Sequence, residues 1–91
     1  MEIINILGLK IAEKIKISPP AARGLIKLAI KDTIGPFIPL IQISLSNFEA
    51  VIKDSLKNRL IKLEVQNVEV LIEELLNVLA ENQSLITMAN I

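Results

Sequence analysis

The chain has 91 residues, equal numbers of acidic and basic side chains, and neither cysteine nor histidine. A net charge of zero excludes the strongly basic composition of an autonomous nucleic-acid-binding domain. The lack of cysteine excludes disulfides and thiolate metal sites. No stretch reaches the roughly 18 apolar residues of a membrane span. The N-terminus does not have the pattern of a signal peptide, so a cytoplasmic location is expected.

The chain is more apolar than its size requires. Apolar residues make up 52% of it and the mean hydropathy is +0.54, whereas ordinary domains are about 45–50% apolar. A domain this small buries only about 60–65% of its unfolded surface. The surplus therefore either tightens the core or forms a face that a partner covers. Abundant Ile, Lys and Glu without Cys or His are also typical of thermophile proteins.

The charges are divided along the chain. Residues 1–45 carry six basic and three acidic side chains, a net charge of +3, and residues 46–91 carry four basic and seven acidic ones, a net charge of −3. This division allows the first half to face an anionic partner while the second half stays solvated.

Apolar periodicity predicts four helices, at about 3–16, 19–34, 47–63 and 68–82. Ser18 precedes two prolines, which suit the first turn of a helix, so Ser18 is expected to cap the second helix. Gly35 and Pro36 end that helix. A capping box of Ser46 and Glu49 is expected to begin the third helix, and Asn67 is expected to cap the fourth.

The second helix is apolar around most of its circumference. Its polar residues form only a narrow stripe of Arg23, Lys27 and Lys31, spaced by four. A helix that is apolar nearly all round is buried in a core or against a partner. We therefore predict that it is the central helix.

The connector over 35–46 contains two prolines and large apolar residues. Its alternation of Ile41, Ile43 and Leu45 with polar residues is strand-like but short. It either covers the core or docks a partner. Whether 41–45 or 85–88 form strands is left open, and the tail after Gln83 either docks or frays. The predicted fold is an all-α, compact four-helix domain over 1–91, with one short extended connector.

Nothing in the sequence forms a convergent catalytic set, so no enzyme activity, metal or cofactor is predicted. Nucleophilic catalysis needs a nucleophile held beside a base, and the serines lie where capping or solvation explains them. Glu73 and Glu74 diverge by roughly 100° on a helix. Glu69 and Glu73 share a face, but a solvated acidic face is the simpler interpretation.

Residues 10–30 resemble a helix-turn-helix, the DNA-binding motif of many repressors. The resemblance rests on the apolar and small residues at its packing positions, which are Ile11, Ala12, Ile15, Ile17, Ala22 and Leu25. One departure is the turn residue, which is usually glycine and here is Lys16.

A second departure concerns base reading. Recognition helices read bases with polar side chains near their N-terminus, and this one begins with prolines and alanines. Arg23 alone suits base contact, whereas Lys16, Lys27 and Lys31 are candidates for phosphate contact, which gives affinity without sequence reading. A purely structural helix pair is equally compatible with the pattern.

A second resemblance spans the stretches SPPAARGLIKLAIKD (18–32) and NQSLITM (82–88). These resemble small crenarchaeal accessory subunits that bind the replicative family-B DNA polymerase. The resemblance implies a non-enzymatic subunit that docks on the polymerase and helps to stabilise the holoenzyme. It transfers no functional residue to this chain.

The leading hypothesis is a protein-binding accessory subunit in a DNA replication complex, with another protein as its partner. Its interface is predicted at the second helix and the connector, specifically at Leu28, Phe37, Ile38, Leu40 and Ile41. The alternatives are a helix-turn-helix DNA-binding regulator and a module that self-associates as a dimer. No small-molecule substrate and no membrane partner are predicted.

Overall fold

The computed structural model describes residues 2–35 and 43–89, and this part of the chain is almost entirely helical, without strands. The all-α prediction is confirmed. The elements are α1 (Glu2–Ile15), α2 (Pro19–Thr33), α3 (Leu45–Val51), a π-helical turn (Ile52–Leu56), α4 (Lys57–Lys62), α5 (Val68–Glu81) and α6 (Gln83–Ala89).

The predicted third helix is an unbroken run that changes its winding. It consists of α3, the π-turn and α4, and it spans 45–62 rather than 47–63. Phe48, Ile52, Leu56 and Leu60 recur every four residues, and each is at most 1% exposed. In a regular α-helix a four-residue step passes a full turn by about 40°, so three steps drift by about 120°. The wider π-turn cancels part of this drift and keeps all four residues in the core.

The start of α3 differs from the prediction. The cap is Ser44, not Ser46: Ser44 Oγ accepts a hydrogen bond from the Asn47 backbone N–H at 3.2 Å, and Asn47 Oδ1 accepts one from the Ser44 N–H at 3.1 Å. Both serines are followed three residues later by a side chain able to complete a capping box. The earlier start is favoured because it brings Leu45 into partial contact with the core.

The other two predicted caps have different outcomes. Ser18 caps α2 as predicted, its Oγ accepting the Ala21 N–H at 3.3 Å. Asn67 precedes α5, but its side chain makes no capping hydrogen bond, and its φ is 56°. Its backbone carbonyl instead accepts the N–H groups of Val70 and Leu71. A left-handed residue is needed here because the chain reverses between α4 and α5.

The buried side chains form one apolar cluster, to which α1 and α5 contribute five residues each. Six residues of α1 are buried, and α1 packs against α2, α5 and α6. Four residues of α2 are buried, namely Ala22, Ile26, Ala29 and Ile30. The helix α2 packs against α1, α3 and the π-turn, but its opposite side, which carries Lys27, Leu28 and Lys31, is exposed. It is therefore amphipathic, and the expectation that it is buried nearly all round is wrong.

The C-terminal segment is helical and docked. Residues 85–88 lie within α6 and so form a helix and not a strand, and Ile86 is 1% exposed and belongs to the core. In the connector, Ile43 and Ser44 have no regular structure and Leu45 begins α3. The rest of the predicted strand, 41–42, lies outside the described residues.

No helix within the described ranges is long and apolar enough to cross a bilayer.

Candidate functional site

The first two helices pack closely where Gly8 of α1 meets Arg23 of α2. A Cβ placed on Gly8 would lie 2.8 Å from the Arg23 Cγ, a separation that side chains do not tolerate. Gly8 thus permits the close approach, and the aliphatic stem of Arg23 rests against α1. Only the end of this side chain is available for a ligand, since the residue is half-buried.

The resemblance to a helix-turn-helix extends to the backbone of the turn. Each of the six apolar positions of the motif is buried or packs against the core. Lys16 has φ 62°, the left-handed conformation that favours glycine. The lysine therefore occupies a backbone conformation that suits glycine, the usual turn residue of the helix-turn-helix motif, and it does so at a conformational cost.

The surface of α2 that faces away from the core is the candidate site. We call it the outer face of α2, and it consists of Pro20, Gly24, Lys27, Leu28 and Lys31. Leu28 is 44% exposed. A Cβ placed on Gly24 would meet nothing within 4 Å, so the N-terminal half of this face is open and lacks large side chains.

The basic residues predicted to touch DNA are not gathered into one cluster. Lys27 and Lys31 lie on the outer face of α2, Lys16 lies in the turn before the helix, and Arg23 lies against α1. Within residues 2–35 and 43–89, none of the four forms an ion pair. Their charges are therefore available to an external anionic group.

The remaining predicted interface residues, Phe37, Ile38, Leu40 and Ile41, lie outside the described residues. Of the five predicted interface positions, the structure thus places Leu28 alone.

A polar cluster at the C-terminal end of α2 was missed by the sequence analysis. Asp32 Oδ2 accepts hydrogen bonds from Ser55 Oγ at 2.8 Å and from Arg59 Nε at 2.7 Å, and Arg59 NH2 lies 2.7 Å away. These contacts tie α2 to the π-turn and α4. They line a cleft of about 430 Å³ whose other residues, Thr33, Asp54, Asn58 and Lys62, are also polar.

The chemistry of this cluster favours a structural role. The hydrogen bond from Ser55, then that from Arg59, lowers the pKa of Asp32 below its usual 3.8. Burial opposes this shift less strongly, and the charges of Arg59 and Lys62 lower the pKa by smaller amounts. A carboxylate with a lowered pKa is a weak base. Ser55 donates its proton to a group that Arg59 already neutralises, so it is not activated as a nucleophile.

The acidic residues of α5 are divided between paired and free. Glu69 forms an ion pair with Lys57 at 2.7 Å, and Glu74 forms one with Lys14 at 3.5 Å. Glu73 and Glu81 are exposed and form no ion pair within the described ranges. The predicted shared acidic face of Glu69 and Glu73 is therefore a solvated surface in which one member is neutralised.

Comparison with protein family models, with curated proteins and with solved structures gives no match.

Proposed function

We propose that this protein is a non-enzymatic accessory subunit that binds another protein through the outer face of α2 and the connector that follows it. The observation that carries the proposal is the exposure of Leu28 between two unpaired lysines. The helix α2 contributes Ile26 and Ile30 to the core, whereas Leu28 stays 44% exposed at the surface.

The apolar surplus of the sequence gives this observation its weight. The chain is 52% apolar, and exposed apolar side chains that the core does not use form surfaces that a partner can cover. The inner side of α2 is filled by Ala22, Ile26, Ala29 and Ile30, which leaves Leu28 for a partner. An isolated exposed leucine is common on protein surfaces; its position on an open helix face with free charges on either side distinguishes it.

The partner that we propose is a replicative family-B DNA polymerase. Support comes from the resemblance of 18–32 and 82–88 to the small accessory subunits of such polymerases. The first of these stretches is α2 with its cap, which is the element that carries the docking face. The second includes most of α6, whose Ile86 is buried, so that stretch supports the fold of the subunit.

A titration tests this proposal with a matched control. The chain has no cysteine, so a cysteine introduced at the exposed Ser84 carries a single fluorescent dye. Purified polymerase from the same cell is added, and anisotropy reports binding. Leu28→Glu is compared with Ile61→Glu, because the two side chains are 44% and 51% exposed and lie on different helices.

We expect Leu28→Glu to weaken binding at least tenfold, on the order of 1.4 kcal/mol or more, as for a residue near the centre of an interface. Ile61→Glu should leave the affinity within about twofold. Equal losses for both variants, or binding that neither variant changes, would contradict the docking face.

A second candidate function is DNA binding by the helix-turn-helix-like pair. It is favoured by the left-handed backbone of Lys16 and by the unpaired Lys27 and Lys31. It predicts duplex binding that weakens steeply with salt and loss of affinity for Arg23→Ala or Lys27→Ala. A duplex titration with no salt-dependent signal would eliminate it.

A further inference from the structure

We propose that the outer face of α2 also docks on a second copy of this chain, against the exposed side of its α5, so that copies associate head to tail. This inference rests on the proposed function in one respect, since it takes the outer face of α2 as a protein-docking surface. It adds a second binding partner for this face, another copy of the chain, and the charged and apolar groups by which that copy is recognised.

The exposed surface of α5 carries acidic side chains, whereas the charged side chains on the outer face of α2 are basic. We call this surface the outer face of α5, and it consists of Val70, Glu73, Asn77 and Glu81, all exposed. These residues lie opposite the buried side of the helix, which is formed by Val68, Leu71, Ile72, Leu75 and Leu79. Glu73, Asn77 and Glu81 follow one another at four-residue spacing and so share one stripe.

The charges of the two faces are complementary and are not satisfied within one copy. Lys27 and Lys31 on α2, and Glu73 and Glu81 on α5, form no ion pair in the described part of the chain. These lysines and carboxylates are therefore available to pair between copies.

The apolar groups of the two faces are also matched. Leu28 is 44% exposed and Val70 is 56% exposed, and each is the large apolar side chain of its face. The open space over Gly24 lets another helix approach α2 closely. The association would cover both apolar groups while the lysines and carboxylates pair around them.

The charge distribution of the whole chain favours the same arrangement. Residues 1–45 carry a net +3 and residues 46–91 a net −3, from six basic and three acidic residues in the first half and four and seven in the second. Copies with no net charge do not repel one another at long range. An interface between two different faces is heterologous, so one contact leaves both partner faces free at the ends. Association therefore continues beyond a dimer unless the rotation closes a ring.

Sedimentation and light scattering test this inference through paired charge reversals. Refractive-index detection is used because the chain has no Trp and no Tyr. One variant carries Lys27→Glu with Lys31→Glu, and the other carries Glu73→Lys with Glu81→Lys. Each alone presents like charges on both faces, so each should sediment as the 10.1 kDa monomer, whereas an equimolar mixture should associate as the wild type does.

Control variants reverse the same number of charges elsewhere. Lys10→Glu with Lys53→Glu, and Glu2→Lys with Glu13→Lys, should leave the self-association constant within about threefold, whereas the two face variants should lower it at least tenfold. High salt should lower the wild-type constant, because the screening length falls to about 3 Å at 1 M.

Three results would overturn the inference. The first is a wild type that stays monomeric at millimolar concentration in low salt. The second is a self-association constant that the face reversals leave unchanged. The third is an equimolar mixture of the two face variants that does not associate. None of them decides the proposed function, which depends on the separate titration of polymerase with Leu28→Glu and Ile61→Glu. Conversely, recovery in the mixture with no polymerase binding would support self-association and contradict the accessory role.

Discussion

At the scale of single residues, three residues other than glycine adopt left-handed backbone conformations that the sequence does not indicate. Lys16, Glu64 and Asn67 all have positive φ, and each ends a helix or reverses the chain before one. Around Glu64 the Val65 N–H bonds to the Leu60 carbonyl and the Glu64 N–H to the Ile61 carbonyl, which is a Schellman motif with a glutamate at the position that glycine usually takes. The left-handed backbone at each of these positions costs conformational free energy that glycine would not.

Lys16→Gly is therefore expected to stabilise the fold. A left-handed conformation costs an L-residue about 1 kcal/mol relative to glycine, so the free energy of unfolding should rise by roughly 0.5–1 kcal/mol. Urea denaturation followed by circular dichroism measures it. The same substitution within a helix, Lys10→Gly in α1, should instead lower it by about 1 kcal/mol; a loss for both variants would contradict the role assigned to the turn.

Asp32 provides a prediction of pH dependence. Its pKa lies below the ordinary 3.8 because of the hydrogen bonds from Ser55 and Arg59. A group whose pKa is lower in the folded state adds stability above its unfolded pKa, and this contribution disappears as the pH falls through the folded value. Asp32→Asn should therefore lower the urea midpoint at pH 7, and the difference from wild type should shrink to zero below the folded pKa.

The same pair of proteins supplies the check on that prediction. If the gap between wild type and Asp32→Asn were constant from pH 7 to pH 2, the ionised carboxylate would not be the stabilising group.

At the scale of elements, most helix boundaries could be predicted because the apolar periodicity agrees with the residues that cap or end helices. Ser18 with two prolines, and Gly35 with Pro36, fix α2 to within one residue at each end. The start of α3 could not be fixed, because Ser44 and Ser46 compete and core contact by Leu45 decides between them. The tail carries little periodicity, so α6 was not predicted, and its order depends on the burial of Ile86.

The polar cluster at Asp32 could not be predicted at all. Its partners Ser55 and Arg59 are 23 and 27 residues away in the sequence, and only the packing of α2 on the π-turn brings them together. The recurrence of apolar residues at four-residue spacing through 48–60 is the signal that could have indicated the π-turn itself.

Because the π-turn contains one residue more than a regular helical turn, we expect the fold to tolerate the deletion of one residue from it. Deleting the exposed Lys53 places Leu56 and Leu60 three and seven positions after Ile52, a spacing that a regular α-helix keeps on one face. We expect a folded protein within about 1 kcal/mol of the wild type, since the π-turn becomes α-helical. Thermal denaturation and helical circular dichroism measure the outcome.

Deletion of Glu73, an exposed residue in the regular helix α5, is the control. It rotates Leu75 and Leu79 by roughly 100° away from the core, and displacing two buried leucines costs about 4 kcal/mol or more. If both deletions unfolded the chain equally, the interpretation of the π-turn as a single inserted residue would be wrong.

At the scale of the whole molecule, α1 holds the fold together while α2 and α5 flank it with opposite charges. Leu28, the predicted interface residue on α2, is exposed, and the helix is amphipathic rather than buried on most sides. The open space over Gly24 leaves room for another chain beside Leu28. The outer face of α2 is thus the feature on which the proposed function and the proposed self-association both depend.

Site-specific photo-crosslinking in the native cell tests that face most directly. A benzophenone amino acid is placed at position 28 on α2 or, as the control, at position 61 on α4, and the crosslinked species are identified by mass. We expect polypeptide crosslinks at position 28, to the replicative polymerase and to second copies of this chain through α5, and none at position 61. Equal crosslinking at both positions, or crosslinks from position 28 to DNA alone, would contradict it.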